Sequence, residues 1–132
     1  MSYTFKKYKS SSEIPINWDD VIGQHNIMLS KAYFETLQAS CPENMNCFYV
    51  GFFNDDELIG GALFQYLNFI EHKTFQKDEA FCNVKNFVAK KFSKNVMILG
   101  NNMLTGQNGF YFNASKTTIE KVIPLLDEAV QE

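Results

Sequence analysis

The sequence predicts an α+β domain, an α/β sandwich in which a mostly antiparallel sheet is covered by helices on both faces. Its longest apolar segment, CFYVGFFNDDELIGGALFQYLNF at residues 47–69, is interrupted by turn-forming residues at 54–57, which predicts a β-hairpin. Neither arm alternates cleanly between apolar and polar residues, so both faces of the hairpin need cover. Predicted helices precede and follow the hairpin in the chain. We therefore expect a central strand pair between helical layers.

Length and composition predict one globular domain over residues 1–132. A chain of 132 residues can bury roughly two-thirds of its unfolded surface without disulfides or metals, and 13 Phe, six Tyr and one Trp supply a core. The formal charge of -3 comes from interspersed acids and bases, and all 12 basic residues are lysines. Without guanidinium groups for bidentate contact with phosphate, a nucleic-acid or anionic-membrane surface is not expected.

Cysteine content and hydropathy favour the cytoplasm. Three cysteines are odd in number and have no CxxC spacing, so neither a disulfide framework nor a zinc site is indicated. The amino terminus lacks the apolar core of a signal peptide, and no window approaches the ~18 apolar residues of a membrane span.

The amino-terminal segment predicts an edge strand and then a short helix. Residues 3–9, YTFKKYK, alternate, and their lysines would protect an open sheet edge from pairing. Asn17 predicts a helix N-cap, with Trp18, Val21 and Ile22 on one face.

A second helix has the best local signature of the sequence. Leu29 precedes Ser30 as the N-cap, and Phe34 takes the fourth helical position, which is the arrangement of a hydrophobic staple. Pro42 stops this helix before the hairpin.

The hairpin is expected to pair residues 47–53 with residues 58–69. Gly60 and Gly61 predict a bulge or the close approach of a helix, because a strand glycine has no side chain to pack.

The second half of the chain predicts helix, strand, loop and helix. A helical pattern covers residues 78–92, and residues 95–99, NVMIL, suit a buried strand. A last helix begins near Thr117, and Pro124 should bend it. Its apolar stripe comprises Ile119, Val122, Ile123, Leu126, Ala129 and Val130.

The apolar stripe of the last helix continues to Glu132 without a C-cap, which is typical of a chain that is the N-terminal part of a longer fold. A natural terminus that frays is the alternative. In the first case we expect apolar surface along Leu126, Ala129 and Val130, and self-association through that helix or an exposed sheet.

No catalytic residue and no metal site is predicted. His25 and His72 lie far apart in sequence, and Cys82 lies within a predicted helix, where a small core residue is expected rather than a nucleophile. Residues 55–57 are acidic but belong to a turn, where carboxylates are solvated.

The stretch GNNMLTGQNG at residues 100–109 is the one candidate site. Its glycines and amide side chains follow a predicted buried strand and could present backbone N–H groups to an anion or a thioester carbonyl. It has neither GK[ST] nor GxGxxG, so no nucleotide fold is indicated. A plain turn or bulge is the alternative interpretation.

The element order, IGGALFQYLNF and the later strand running into GNNMLTGQNGF resemble the N-terminal half of GNAT superfamily acyltransferases, of the kind related to Fem-type peptidoglycan aminoacyltransferases. The resemblance implies that residues 99–104 are the bulged fourth strand, which binds the pantetheine arm of an acyl-coenzyme A, and that residues 105–109 begin the pyrophosphate loop. In this sequence Gln107 is followed three positions on by Phe110, where the family pattern has Gly. The acid that protonates the leaving thiolate, a Tyr in many members, would lie beyond Glu132.

The resemblance thus implies an N-acyltransferase that uses acetyl-CoA or another acyl-CoA and a small amine acceptor, without a metal. The acceptor would face Gln65 and Tyr66 on the hairpin. The cofactor-binding residues would be Asn101, Asn102, Thr105, Gly106, Gln107 and Gly109. A non-catalytic binding or interaction domain with the same fold is the alternative.

Overall fold

The structure is a computed structural model that describes residues 2–68, 95–101 and 108–131. Helices and strands are mixed, and every strand pair is antiparallel, as an α+β domain requires. The strands and α-helices are β1 Tyr3–Tyr8, α1 Lys31–Ser40, β2 Met45–Asn54, β3 Glu57–Asn68, β4 Asn95–Leu99, β5 Phe110–Phe112 and α2 Ile119–Gln131. The helix predicted at residues 78–92 lies outside the described residues.

The central hairpin is confirmed. β2 and β3 pair antiparallel, and the turn places Asp55 at a φ of 54°, a left-handed conformation that Asp tolerates. Phe53 lies opposite Leu58 while Phe52 lies opposite Gly60, so Ile59 is the extra residue of a bulge.

The predicted close approach of a helix at the glycine pair is also confirmed. A Cβ added to Gly61 would lie 2.4 Å from the Trp18 ring and 2.8 Å from Cδ1 of Ile22. Only glycine therefore lets these two side chains rest directly on the centre of β3.

The sheet has the order β1-β2-β3-β4, and β5 pairs with β3 as well. Among the described strands β1 occupies the edge beside β2, as the sequence predicts for its lysine-bearing strand.

Both faces of the sheet are covered, which confirms the expectation drawn from the poor alternation of the hairpin. On the first face, α1 and the short helical turns before it pack with Tyr49, Leu58 and Leu63. On the second face, α2 packs with Val50 and Phe64. The hairpin therefore lies at the centre of two separate apolar cores.

The helix start at Ser30 is confirmed. Its Oγ accepts a hydrogen bond from the backbone N–H of Tyr33 at 3.3 Å, and the staple residues Leu29 and Phe34 are both buried.

The predicted cap at Asn17 is wrong. The segment forms one turn of π-helix, Asp19–Gly23, which begins after Trp18 and has no side-chain cap. The buried indole of Trp18 donates instead to the carbonyl of Leu29 at 2.8 Å. The position of this turn therefore follows from a tertiary contact of Trp18.

The last helix has a buried face that differs from the predicted stripe. Val122, Leu125, Leu126 and Ala129 are buried, at i, i+3, i+4 and i+7, whereas Ile123 and Val130 are exposed. The expectation that Leu126 and Ala129 are exposed is wrong, because both pack on the second face of the sheet. Among the helices of the described part of the chain, none is long and apolar enough to cross a membrane.

Candidate functional site

Two separate strands, β4 and β5, pair with the same side of β3. β4 pairs with residues 64–68 of β3, and β5 pairs with residues 60–62 on the same side. Between them, the N–H of Leu63 donates to the carbonyl of Gly109 at 2.9 Å, and the carbonyl of Leu63 accepts from the N–H of Gly100 at 2.8 Å. In a regular ladder one residue makes both of these bonds. Here two glycines share them, so the chain leaves the ladder after Gly100 and rejoins it at Gly109.

The two glycines close the loop through direct backbone contact. Gly100 has a φ of +116°, which L side chains rarely adopt. A Cβ on Gly109 would lie 2.5 Å from the nitrogen and 2.6 Å from the Cα of Gly100. Both ends of the stretch therefore depend on glycine, Gly100 for its backbone angle and Gly109 for its close contact with Gly100.

Side-chain hydrogen bonds connect both ends of the loop to the elements that cover the first face of the sheet. The Nδ2 of Asn101 donates to the hydroxyl of Tyr33 on α1. At the other end, the Nδ2 of Asn26 donates to the carbonyl of Asn108 at 3.3 Å. Asn26 is itself held, because its Oδ1 accepts from the N–H of Met28 at 3.0 Å and so caps the 3-10 turn Ile27–Leu29. The loop ends are therefore positioned by the helices that precede the hairpin.

An aromatic stack borders the returning end of the loop. The rings of His25 and Tyr111 are stacked, with centroids 4.8 Å apart and planes 9° apart. Tyr111 lies opposite Gly61 in the ladder, two residues after Gly109. This stack brings the exposed imidazole of His25 close to the site.

The predicted cofactor-binding residues are described only in part. Asn101 and Gly109 stand at the two ends of the loop, where the structure gives them structural contacts. Asn102, Thr105, Gly106 and Gln107 lie outside the described residues. Cofactor binding by this set stays a prediction.

The predicted substrate-binding pair is divided by the sheet. Gln65 is fully buried on the first face, opposite Cys47 of β2. Tyr66 is half-buried and points to the second face, opposite Met97. The two side chains do not share a site, and a role for either one in acceptor binding stays a prediction.

Among the described residues, no strand pairs with the outer side of β4. In the described part of the sheet, the strand order ends at β4. Gly100 is hydrogen-bonded to Leu63, and along a strand the backbone N–H and C=O groups of successive residues point in alternate directions. The backbone groups of Met97 and Leu99 therefore point away from β3. A strand edge of this kind can pair with an extended molecule that carries amide groups.

A shallow apolar groove of about 300 Å³ runs beside this edge, between β4 and α2. It is lined by Phe64, Met97, Leu99, Ile123, Leu126, Asp127 and Val130. Leu99, Ile123 and Val130 are partly exposed to solvent along it. An apolar part of a ligand that pairs with the strand edge can thus lie against carbon atoms.

Sequence reasoning missed several residues that build this site. Leu63 is apolar, so its side chain gives no indication of the backbone hydrogen bonds that it makes to the loop ends. Tyr33 and Asn26 are distant from the loop in sequence. One signal was available: glycines at both ends of the amide-rich stretch are what a closed loop requires. Within residues 2–68, 95–101 and 108–131, no group of three or more His, Cys, Asp or Glu residues could hold a metal ion.

No protein-family model matches the chain, and no curated protein or solved structure matches it.

Proposed function

We propose that this chain is the donor-binding part of a GNAT-like N-acyltransferase, which takes an acyl thioester such as acetyl-CoA at the open edge of β4 and transfers the acyl group to an amine. The observation that carries the proposal is the interruption of the strand that pairs with β3 at Leu63. There, β4, whose outer edge pairs with no other described strand, ends at Gly100, and the chain rejoins the ladder at Gly109.

The chemistry of the donor fits an open strand edge. The pantetheine arm of coenzyme A is extended and carries amide groups, so it can pair with the backbone of Met97 and Leu99 as another strand would. The adjoining groove offers apolar contact to the methylene groups of the arm or to the acyl chain. The amide-rich loop supplies hydrogen-bond donors for the polar end of the donor.

The reaction is a direct transfer. The lone pair of the amine attacks the thioester carbonyl carbon, and backbone N–H groups stabilise the charge that develops on the carbonyl oxygen. The amine loses a proton to a base, and the carbon–sulfur bond breaks as the thiolate leaves and takes up a proton. The described residues assign none of these proton transfers to a named side chain.

Calorimetric titration of coenzyme A and acetyl-CoA tests the binding step. The protein should bind both, and Asn101→Ala should weaken binding about three- to tenfold, because the loop loses its anchor on Tyr33. The exposed Asn17→Ala, in the turn before the π-helix, is the matched control and should leave binding unchanged. Mass spectrometry of acetyl transfer to a panel of amines then tests the reaction itself.

One observation favours a second function, that of a binding domain without catalysis. Phe110 stands where the family pattern has a phosphate-loop glycine, and its backbone is engaged in β5. If the titrations give no heat, the acyltransferase proposal fails. An extended peptide is then the ligand to test at the same edge.

A further inference from the structure

Three side chains of α2 form a row along the groove beside β4. Ile123, Asp127 and Val130 lie at successive turns of the helix, so the row is about 10 Å long. Ile123 is 55% exposed and Val130 is 45% exposed, although both are apolar. The neighbouring Leu126 is buried against the second face of the sheet. The row therefore offers an apolar, an acidic and an apolar contact, in that order, to a ligand in the groove.

Asp127 is the charged residue among those that line the groove. Its Oδ2 accepts a hydrogen bond from Nε2 of Gln131 at 3.1 Å, which holds the carboxylate on the exposed side of α2. In the described part of the chain, Lys116 pairs with Glu57, and no lysine forms an ion pair with Asp127. A carboxylate bordered by carbon atoms favours a ligand that brings a cation on an apolar stem, as a lysine side chain does.

The opposite wall of the groove is β4, whose backbone can bind the same ligand. Met97 and Leu99 place their side chains on the second face, beside Phe64. Their backbone N–H and C=O groups point away from β3, and no described strand pairs with them. In an antiparallel pair, residues directly opposite each other have their side chains on the same face. A strand added to β4 would therefore place alternate side chains over the groove.

The two edges of the described sheet differ in how they treat a further strand. β1 carries Lys6 and Lys7, and lysines on an edge strand discourage pairing with another chain. β4, with the sequence NVMIL, has neither a charged residue nor a proline. The sequence of β4 thus contains none of the residues that protect an edge from pairing.

We propose that β4 and α2 together bind an extended peptide segment of another protein, added antiparallel to β4, in which an apolar, a basic and an apolar residue alternate with polar ones. The basic side chain would reach Asp127, and the apolar side chains would cover Ile123 and Val130. Alternate residues of a strand are about 6.5 Å apart, which is comparable with the spacing of about 5 Å along the helix row.

This inference does not rest on the acyltransferase proposal, and it names the ligand that a binding domain with this fold would take. The peptide and the pantetheine arm would use the same backbone groups of Met97 and Leu99. The two ligands should therefore compete. The side chains of α2 give the peptide its specificity, because they require a cation between two apolar residues.

Fluorescence anisotropy with labelled synthetic peptides tests the charge. The probe is the peptide Thr-Val-Thr-Lys-Thr-Val-Thr with blocked termini, and a second probe has Glu in place of Lys. The protein should bind the Lys peptide about tenfold or more tightly than the Glu peptide. Asp127→Lys should reverse this preference. Glu128→Lys makes the same change of charge at an exposed residue outside the groove lining, and it should leave the preference unchanged.

N-methylated forms of the Lys peptide test the strand pairing. In the proposed register, the residues whose side chains face the groove also donate their N–H groups to β4, whereas the N–H groups of the intervening Thr residues point to solvent. N-methylation of the Lys residue should therefore weaken binding about tenfold or more. N-methylation of the preceding Thr is the matched control and should have little effect.

Several results would overturn the inference: no binding of the Lys peptide, equal binding of the Lys and Glu peptides, a preference that survives Asp127→Lys, or equal binding of the two N-methylated peptides. A dimer in sedimentation that the Lys peptide does not dissociate would assign the edge to a second copy of the chain instead. If coenzyme A binds without displacing the Lys peptide, the two ligands do not share the edge and the inference fails. If coenzyme A gives no binding heat while the Lys peptide binds as described, only the acyltransferase proposal fails.

Discussion

The closure of the loop predicts a large and local effect for Gly109→Ala. The added Cβ would lie 2.5 Å from the nitrogen of Gly100, 2.6 Å from its Cα and 2.6 Å from the carbonyl carbon of Leu99. All three atoms belong to the backbone, so no side-chain rotation relieves the overlap. The strand ends must move apart, and Leu63 then loses one or both of its hydrogen bonds to the glycines.

The magnitude follows from the terms that change. Overpacking against a fixed backbone costs about 1–3 kcal/mol. The two hydrogen bonds of Leu63 contribute about 0.5–1.5 kcal/mol each. Alanine restricts the unfolded chain relative to glycine and restores about 0.4–1 kcal/mol. The free energy of unfolding should therefore fall by about 3 kcal/mol, which for a domain of this size lowers Tm by about 10 °C.

Urea unfolding followed by tryptophan fluorescence measures this loss, and Gly51→Ala is the matched control. Gly51 is another buried strand glycine, but an added Cβ there would meet side-chain atoms of Phe53, Leu58 and Tyr8 at 3.1–3.3 Å, and these can give way. The control should cost about 1 kcal/mol or less. Equal midpoints for Gly109→Ala and the unsubstituted protein would refute the closure by contact between the two glycines.

Three further predictions concern other parts of the fold. Ser30→Ala should lower the free energy of unfolding by about 1 kcal/mol, because the Tyr33 N–H loses its cap; a urea midpoint equal to that of the parent protein would contradict the cap. Trp18→Phe should cost about 3 kcal/mol, since it leaves the buried Leu29 carbonyl without its donor and opens a cavity; calorimetry that finds Tm unchanged would argue against that bond. Because burial raises the pKa of Cys47 from 9.0 to about 12, the native state keeps a proton that the unfolded chain releases, so stability is lost as pH rises through this window. Cys47→Ala should flatten that decline, and identical stability-versus-pH slopes in the two proteins would count against the shift.

The features predicted correctly from the sequence are set by neighbouring residues. The hairpin turn depends on the residues around Asp55, and the helix start at Ser30 depends on a cap and a staple within one turn of chain. The need for cover on both faces was likewise visible in the apolar arms of the hairpin. Each of these signals lies within a short stretch and does not require knowledge of distant contacts.

The errors arise where distant contacts decide the outcome. The last helix carries more apolar residues than one face can bury, so packing on the sheet selected Leu125 over Ile123. β5 is only three residues long and exists because it continues the ladder beyond the loop. The anchors of the candidate site, Tyr33 and Asn26, meet the loop from helices placed far earlier in the sequence.

The closure at Leu63 makes the register of the sheet independent of the length of the chain between Gly100 and Gly109. β4 and β5 each keep their own register with β3, and the backbone of the two glycines fixes the points where the chain leaves the ladder and rejoins it. Doubling the length of a flexible loop adds only about 0.6 kcal/mol of closure entropy. Peptides of different length and sequence can therefore be grafted between Asn101 and Asn108 while β4 and β5 keep their register with β3. In evolution, the same property would let this segment diverge faster than the strands that carry it.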